Sequence, residues 1–337
     1  MRAVGYRKSL PIDQTESLID LDIDKPTPKG RDLLVQVKAI SVNPVDTKVR
    51  KRAAPKDGEA PKILGYDATG VVAAAGADVT LFKPGDEVWY AGSIIRPGTN
   101  AEYHLVDERI VGRKPKTLGF AEAAALPLTS ITAWEVLFDR FGIARGGGEN
   151  KSLLIIGGAG GVGSIAIQLA RTLTKLTVIA TASRPETQKW CKELGAHHVI
   201  DHGKPMPEQL KAIGHRFADY IFGVTESGEH FDAIAEMVAP QGKFGLIDDP
   251  KSLDVAKLKG KSVSLHWEAM FTRSTFQTPD MDAQHRLLNE VGGMVEQGTI
   301  RTTVAENLGT INAANLRRAH AMIESGRTRG KIVLEGF

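Results

Sequence analysis

The chain has 337 residues, 42% of them hydrophobic and 25% charged, with a formal charge of +3. This length predicts two domains rather than one core, and Lys and Arg scattered without interleaved aromatics exclude a nucleic-acid-binding face. No run reaches the roughly 20 apolar residues of a membrane span, MRAVGYRKSLPIDQTES lacks a signal-peptide core, and a single cysteine, Cys191, excludes an internal disulfide and a thiolate-rich zinc lobe; a soluble, cytoplasmic protein is expected, with Cys191 a semi-buried structural thiol.

In chain order, LLVQVKAISV, GVVAAAG, EVWYAG and EYHLVD read as short strands punctuated by Pro and Gly, which predicts a small all-β barrel or irregular sandwich up to about residue 120. AEAAALPLTSITAWEVLFDRF then reads as a helix pair broken near Pro127. From SLLIIGG onward single strands alternate with amphipathic helices: LTVIATAS with PETQKWCKELG, HHVID with PMPEQLKAIG, DYIFGV with GEHFDAIAEMVAP, then GKFGLID and KSVSLHW. Parallel neighbours need crossover helices, so this alternation predicts a doubly wound parallel sheet, and the fold class is α/β. Val162, Ile165, Ala166, Leu169 and Ala170 keep the spacing of one buried helix face. The tail after about residue 271 contains two helical stretches and a closing strand, KIVLEGF.

Gly158, Gly160 and Gly163 in SLLIIGGAGGVGS satisfy G-x-G-x-x-G between a predicted strand and a predicted helix. Gly158 is assigned the tight turn, Gly160 the close approach of backbone to a pyrophosphate, and Gly163 the packing of helix on strand; amides of the helix start, around Gly161 and Val162, would meet the phosphates. An NAD enzyme usually places an acid about 20 residues on, at the end of the second strand. Here that strand ends in Ala182-Ser183-Arg184, which would bond a 2′-phosphate, with Lys189 able to add charge, so the residues point to NADPH; the alternative is that Arg184 and Lys189 are solvated cations. His197 and His198 should face opposite sides of a strand, so no metal site is expected there with His202.

AISVNPVDT, PKILGYDATGVVAAAGADVTLFKPGDEVW, AAALPLTSITAWEVL, GGAGGVGSIAIQLAR, LGAHHVID and GRTRGKIVL together resemble the medium-chain dehydrogenase/reductases, in particular the zinc-free quinone oxidoreductase branch, often labelled zinc-type alcohol dehydrogenase-like. The resemblance implies a GroES-like catalytic domain over residues 1–124, a Rossmann domain over 125–270 and a return to the catalytic domain over 271–337. It also implies that His202 helps enclose the adenosine phosphate and that KSVSLHW pairs across a homodimer. Zinc-dependent relatives carry ligands where this chain has Asn43, Tyr66 and about Leu128, none a good zinc donor, and Asp67 alone makes no site. Lys51-Arg52-Ala53-Ala54 stands where enoyl thioester reductases of the superfamily have a Tyr, which argues against a fatty-acyl substrate.

Without a Lewis acid, a quinone or α,β-unsaturated carbonyl is the less demanding hydride acceptor, because the resulting anion is delocalised. The expected function is thus NADPH-dependent, metal-independent reduction of such a substrate at the interdomain cleft. Asn43 would orient by hydrogen bonds, Thr129 or Thr132 would contact the nicotinamide amide, and Tyr66 either donates a proton or lines the cleft. The competing readings are a zinc-dependent alcohol dehydrogenase and a weakly catalytic NADPH-binding sensor.

Overall fold

The β-branched runs at the start of the chain form strands that pair antiparallel, as short loops between them allow. The computed structural model describes residues 1–337, which divide into two units, Met1–Ile131 with Phe271–Phe337 and Thr132–Met270. The first unit opens with β1 (Arg2–Tyr6), β2 (Ile19–Asp22), β3 (Asp32–Val42), α1 (Pro44–Arg52), β4 (Lys62–Ile63), β5 (Ala68–Ala75), β6 (Glu87–Tyr90), β7 (Tyr103–Asp107), β8 (Val111–Arg113), α2 (Phe120–Ala124) and the start of α3 (Pro127–Trp134). Pro127 begins α3, where its missing N–H costs nothing.

β3 organises this unit. It pairs with β5 along one edge and with β7 through Asp32–Gln36 on the other. Leu33, Val35, Val37 and Ile40 enter a core with Val72, Val88, Tyr90 and Val111. Asn43 follows β3 directly and caps α1, with its backbone N–H donating to the Asp46 carboxylate at 2.7 Å.

The second unit continues with β9 (Ser152–Ile156), α4 (Gly161–Leu173), β10 (Thr177–Thr181), α5 (Pro185–Glu193), β11 (His198–Ile200), α6 (Met206–Ala212), β12 (Ala218–Gly223), α7 (Phe231–Met237), β13 (Val238–Leu246), α8 (Ala256–Lys259) and β14 (Ser264–Trp267). Its six strands are parallel in the order β11-β10-β9-β12-β13-β14, the doubly wound arrangement with a switch point between β9 and β12. All five residues of β9 are buried, which is why SLLII reads as a continuous apolar run rather than an alternating one. Ile165, Ala166, Leu169 and Ala170 are fully buried on α4, and each large side chain contributes about 1.5–3 kcal/mol to that packing.

The tail returns to the first unit through α9 (Thr272–Phe276), α10 (Ala283–Glu296), β15 (Val304–Asn307), α11 (Ala313–Glu324) and β16 (Lys331–Glu335). β16 lies antiparallel on β3, with Ile332 opposite Val42, and completes the seven-stranded sheet. No helix is long and apolar enough to cross a membrane.

Candidate functional site

At the end of β9 the chain must turn sharply into α4. Gly157, at φ 86°, takes the left-handed conformation that makes this possible, so the turn belongs to Gly157 and not to Gly158 as the motif spacing suggested. Gly158 is needed for a different reason: a Cβ there would stand 2.7 Å from the Ala180 Cβ and 3.3 Å from the Cys191 sulfur. Gly163 does pack helix on strand, because its Cβ would meet the Gly157 carbonyl at 2.4 Å. A Cβ on Gly160 would meet only the Gly157 carbonyl, at an ordinary contact distance of 3.6 Å, so nothing in the fold itself demands glycine there. Gly160 is also the N-cap of α4 and brings no side chain to the first turn, while Gly161 and Val162 stay half-buried. A helix start with no side-chain cap fits a dinucleotide pyrophosphate.

The turn is tied to the end of the second strand. Gly157 N–H donates to the Thr181 hydroxyl at 3.0 Å and Gly158 N–H to the Thr181 carbonyl at 3.1 Å. His202 Nδ1 lies 3.1 Å from the same hydroxyl, and its ring stands 6.1 Å from that of His230. Burial, helped by His230, holds the His202 imidazole below its ordinary value and therefore neutral. Ser183 is exposed and Arg184 half-exposed; the guanidinium already has a carboxylate neighbour, with Arg184 Nε 3.2 Å from Glu186. Lys189 is exposed and 3.8 Å from Glu193. Thr132 is buried at the start of this unit. Cys191 is fully buried rather than semi-buried, and burial pushes its thiol up to about 12, so it is an unreactive core group.

In the first unit, Asn43, Tyr66 and Thr129 are all buried. The Asp67 carboxylate beside Tyr66 accepts from Ser41 Oγ at 2.9 Å, Asn43 Nδ2 at 2.8 Å, the Leu128 N–H at 2.8 Å and Lys331 Nζ at 3.1 Å. Asp46 accepts the N–H groups of Asn43 and Gly65, the latter at 3.0 Å. Tyr66 is thus bracketed by two anchored carboxylates, one holding the residue before it and one belonging to the residue after it. Its ring meets Phe271 edge-on at 5.2 Å, and its hydroxyl has no hydrogen-bond partner. Burial, with the nearby Asp46 charge, pushes the phenol well above its ordinary value, so it stays protonated as a donor. The Thr129 hydroxyl donates at 3.1 Å to the carbonyl of Leu126, the residue just before its own helix.

Asp46 and Lys331 are the charged members of this cluster that sequence reasoning did not single out. Both stood in quoted motifs, NPVD and GKIVL; a charged residue opening an apolar strand was the available signal for Lys331, and Asp46, on α1, had none of that kind. Burial pushes Asp46 up to about 7, partly offset by the Asn43 N–H and the Lys331 charge.

Residues 29–130 match the family model for the alcohol dehydrogenase GroES-like domain and residues 194–334 that for zinc-binding dehydrogenases. A zinc-type alcohol dehydrogenase-like protein of Staphylococcus aureus strain Mu50 is 42% identical over 337 residues, 99% of each chain. The 2-methylene-furan-3-one reductase of Solanum lycopersicum is 32% identical, covering 99% of this chain and 79% of that protein. A crystal structure from Rhizobium etli CFN 42, described provisionally as a zinc-dependent alcohol dehydrogenase, superposes with a TM-score of 0.95 at 60% identity, over 100% of this chain and 98% of the other.

These names imply zinc, and the residues do not fit it. No group of three or more His, Cys, Asp or Glu side chains is arranged to hold a metal ion. Asp67 meets four donors, three of them on Oδ2 with the Lys331 ammonium among these, so a divalent cation approaching that oxygen would have to displace Lys331. Two matching domains and full-length similarity nevertheless make the assignment of kinship plain: the chain belongs to the medium-chain dehydrogenase/reductase superfamily of oxidoreductases.

Proposed function

We propose that this protein is an NADPH-dependent reductase that transfers hydride to a quinone or an α,β-unsaturated carbonyl compound without a metal. The observation that carries the reading is Tyr66: a buried, protonated phenol with an unpartnered hydroxyl, beside a carboxylate already engaged by four donors. When bound, NADPH supplies the hydride. The chain's own part is to hold the pyrophosphate at the start of α4, where Gly160 puts no side chain over the helix end, and the 2′-phosphate near Ser183 and Arg184. Enclosure of the adenosine end falls to His202, with Lys189 adding charge and Thr132 or Thr129 meeting the nicotinamide amide.

Hydride addition to a conjugated carbonyl moves the π pair onto oxygen, and the phenol O–H of Tyr66 would supply a proton to that enolate. Asn43 spends its amide on Asp67 and Lys331, so its contribution is to hold geometry. The similarity to a reductase of a conjugated exocyclic-methylene ketone supports this substrate class, and a quinone presents the same conjugated carbonyl. Exposed Trp267 on the edge strand β14 supports a homodimer.

The test is NADPH oxidation against a panel of ortho-quinones, enones and enals, with and without chelator. Turnover unaffected by chelation is expected; activity that disappears on metal removal refutes the reading. A second reading, an NADPH-binding sensor, draws on the commitment of Asn43 and Thr129 to internal hydrogen bonds. Tight NADPH binding with no turnover across the panel selects it.

A further inference from the structure

Lys331 is buried, with a side chain 3% exposed, on the last strand of the first unit. Its ammonium has three donors and three acceptors: Val42 O at 3.2 Å, Asp67 Oδ2 at 3.1 Å, and Asn43 Oδ1. Stability alone gives little reason to keep such a group, since replacing a buried ion pair by apolar side chains is often neutral or stabilising. What the ammonium does in addition is connect. The carboxylate it pairs with reaches Ser41 and Asn43 at the end of β3 and the Leu128 N–H at the start of α3, next to Thr129, and it belongs to the residue after Tyr66. Every partner of that carboxylate is a donor, which fits its ionised form. The Asn43 amide has one workable orientation, because a flip would set Nδ2 against the ammonium and Oδ1 against the carboxylate.

We propose that Lys331 is a positioning residue: its ammonium fixes the Asn43 amide and the Asp67 carboxylate in one arrangement, and through them keeps the Tyr66 phenol and the Leu128–Thr129 turn in register. This rests on the reading of Tyr66 as proton donor. Burial pushes the Asp67 carboxyl up and the Lys331 ammonium down, and their direct pairing opposes both. The other charged group facing them is Asp46.

The experiment compares Lys331→Met and Lys331→Arg in the full-length protein. The Met variant should lose about 10- to 100-fold in kcat, the cost of misplacing a reacting group, while NADPH affinity read by fluorescence stays within about twofold. Its rate should climb from acid to alkaline pH as Asp67, deprived of its cation, ionises, and the Arg variant should recover much of the loss at all pH values. Parental kcat in the Met variant, or an equal and pH-independent loss in both variants, overturns the proposal. If the Met variant does not fold, Asp67→Asn keeps the shape without the charge: a similar loss supports the proposal and parental kcat overturns it. Carboxyl carbon NMR separates this from the parent reading. An ionised Asp67 at neutral pH that becomes protonated in Lys331→Met supports the arrangement even in a protein that reduces no substrate in the panel; an Asp67 signal unmoved by the substitution sinks it.

Discussion

The glycine turn of the second unit and the charge cluster of the first achieve order by opposite means. The turn works through what is missing: Gly157 adopts φ 86°, Gly158 and Gly163 make room for neighbouring atoms, and Gly160 caps α4 without a side chain. All of it happens within seven residues, tied to the rest of the unit by hydrogen bonds to Thr181 and by the packing of Ala180 and Cys191 against Gly158. The cluster works through what is present. Asp67, Asn43 and Lys331 are buried polar groups that tolerate the interior because each is met by a partner, and Lys331 lies 264 residues from Asp67. A site built from backbone permissiveness is local; one built from compensated charge needs the finished sheet.

This contrast can be broken at its strongest point first. Tyr66→Phe removes a buried hydroxyl that has no hydrogen-bond partner, and kcat should fall about 10²- to 10⁴-fold with NADPH affinity and thermal stability kept. A variant with parental kcat assigns Tyr66 to lining alone.

The next effect concerns buried charge elsewhere in the first unit. His320 is fully buried with both ring nitrogens unpartnered, and burial, with Arg50 and Lys51 nearby, pushes its imidazole down to about 3. The unfolded chain takes up that proton near pH 6.5 and the folded chain does not, so the protein loses stability as pH falls from about 6.5 towards 3, by about 5 kcal/mol in all. Denaturant titrations across this window should show the slope, and His320→Leu should flatten it. An unchanged slope in the variant assigns acid sensitivity to other groups.

Gly163→Ala tests the turn by filling it. A Cβ 2.4 Å from a backbone carbonyl cannot be absorbed by a side-chain rotation, so a loss of about 1–3 kcal/mol with weakened NADPH binding is expected, whereas Gly160→Ala should fold normally and weaken NADPH alone. Equal stability of both variants and parent would refute the division of labour among the glycines. The smallest effect is at the ribose end: Arg184→Glu should weaken NADPH about tenfold and spare NADH, as competitive titrations would measure. The nearby Glu186 already shares the guanidinium, which keeps the expected change modest.

The legible parts of the site follow the same line. SLLIIGGAGGVGS announced strand, turn and helix because hydrophobic run, glycine and helical spacing are local properties of those residues. It did not reveal that Gly157 takes the positive φ, since two adjacent glycines are equally permissive and only the packing of Ala180 and Cys191 against Gly158 distinguishes them. Tyr66 and Asn43 were legible as non-ligands by residue type. The commitment of the Asn43 amide and the Thr129 hydroxyl to internal partners was not, because hydrogen-bond partners depend on which elements meet.

The sequence by itself determined the α/β class, the strand-to-helix glycine turn, the unsuitability of Asn43, Tyr66 and Leu128 as zinc ligands, and the lack of an acid at the end of β10. These follow from side-chain chemistry and short-range periodicity. Only the tertiary structure decided that KIVLE closes on β3 and carries Lys331 to Asp67, and that the Tyr66 hydroxyl is left without a partner. Those facts are consequences of strand pairing between chain ends, where the burial that makes a charge costly and the partner that compensates it arrive together.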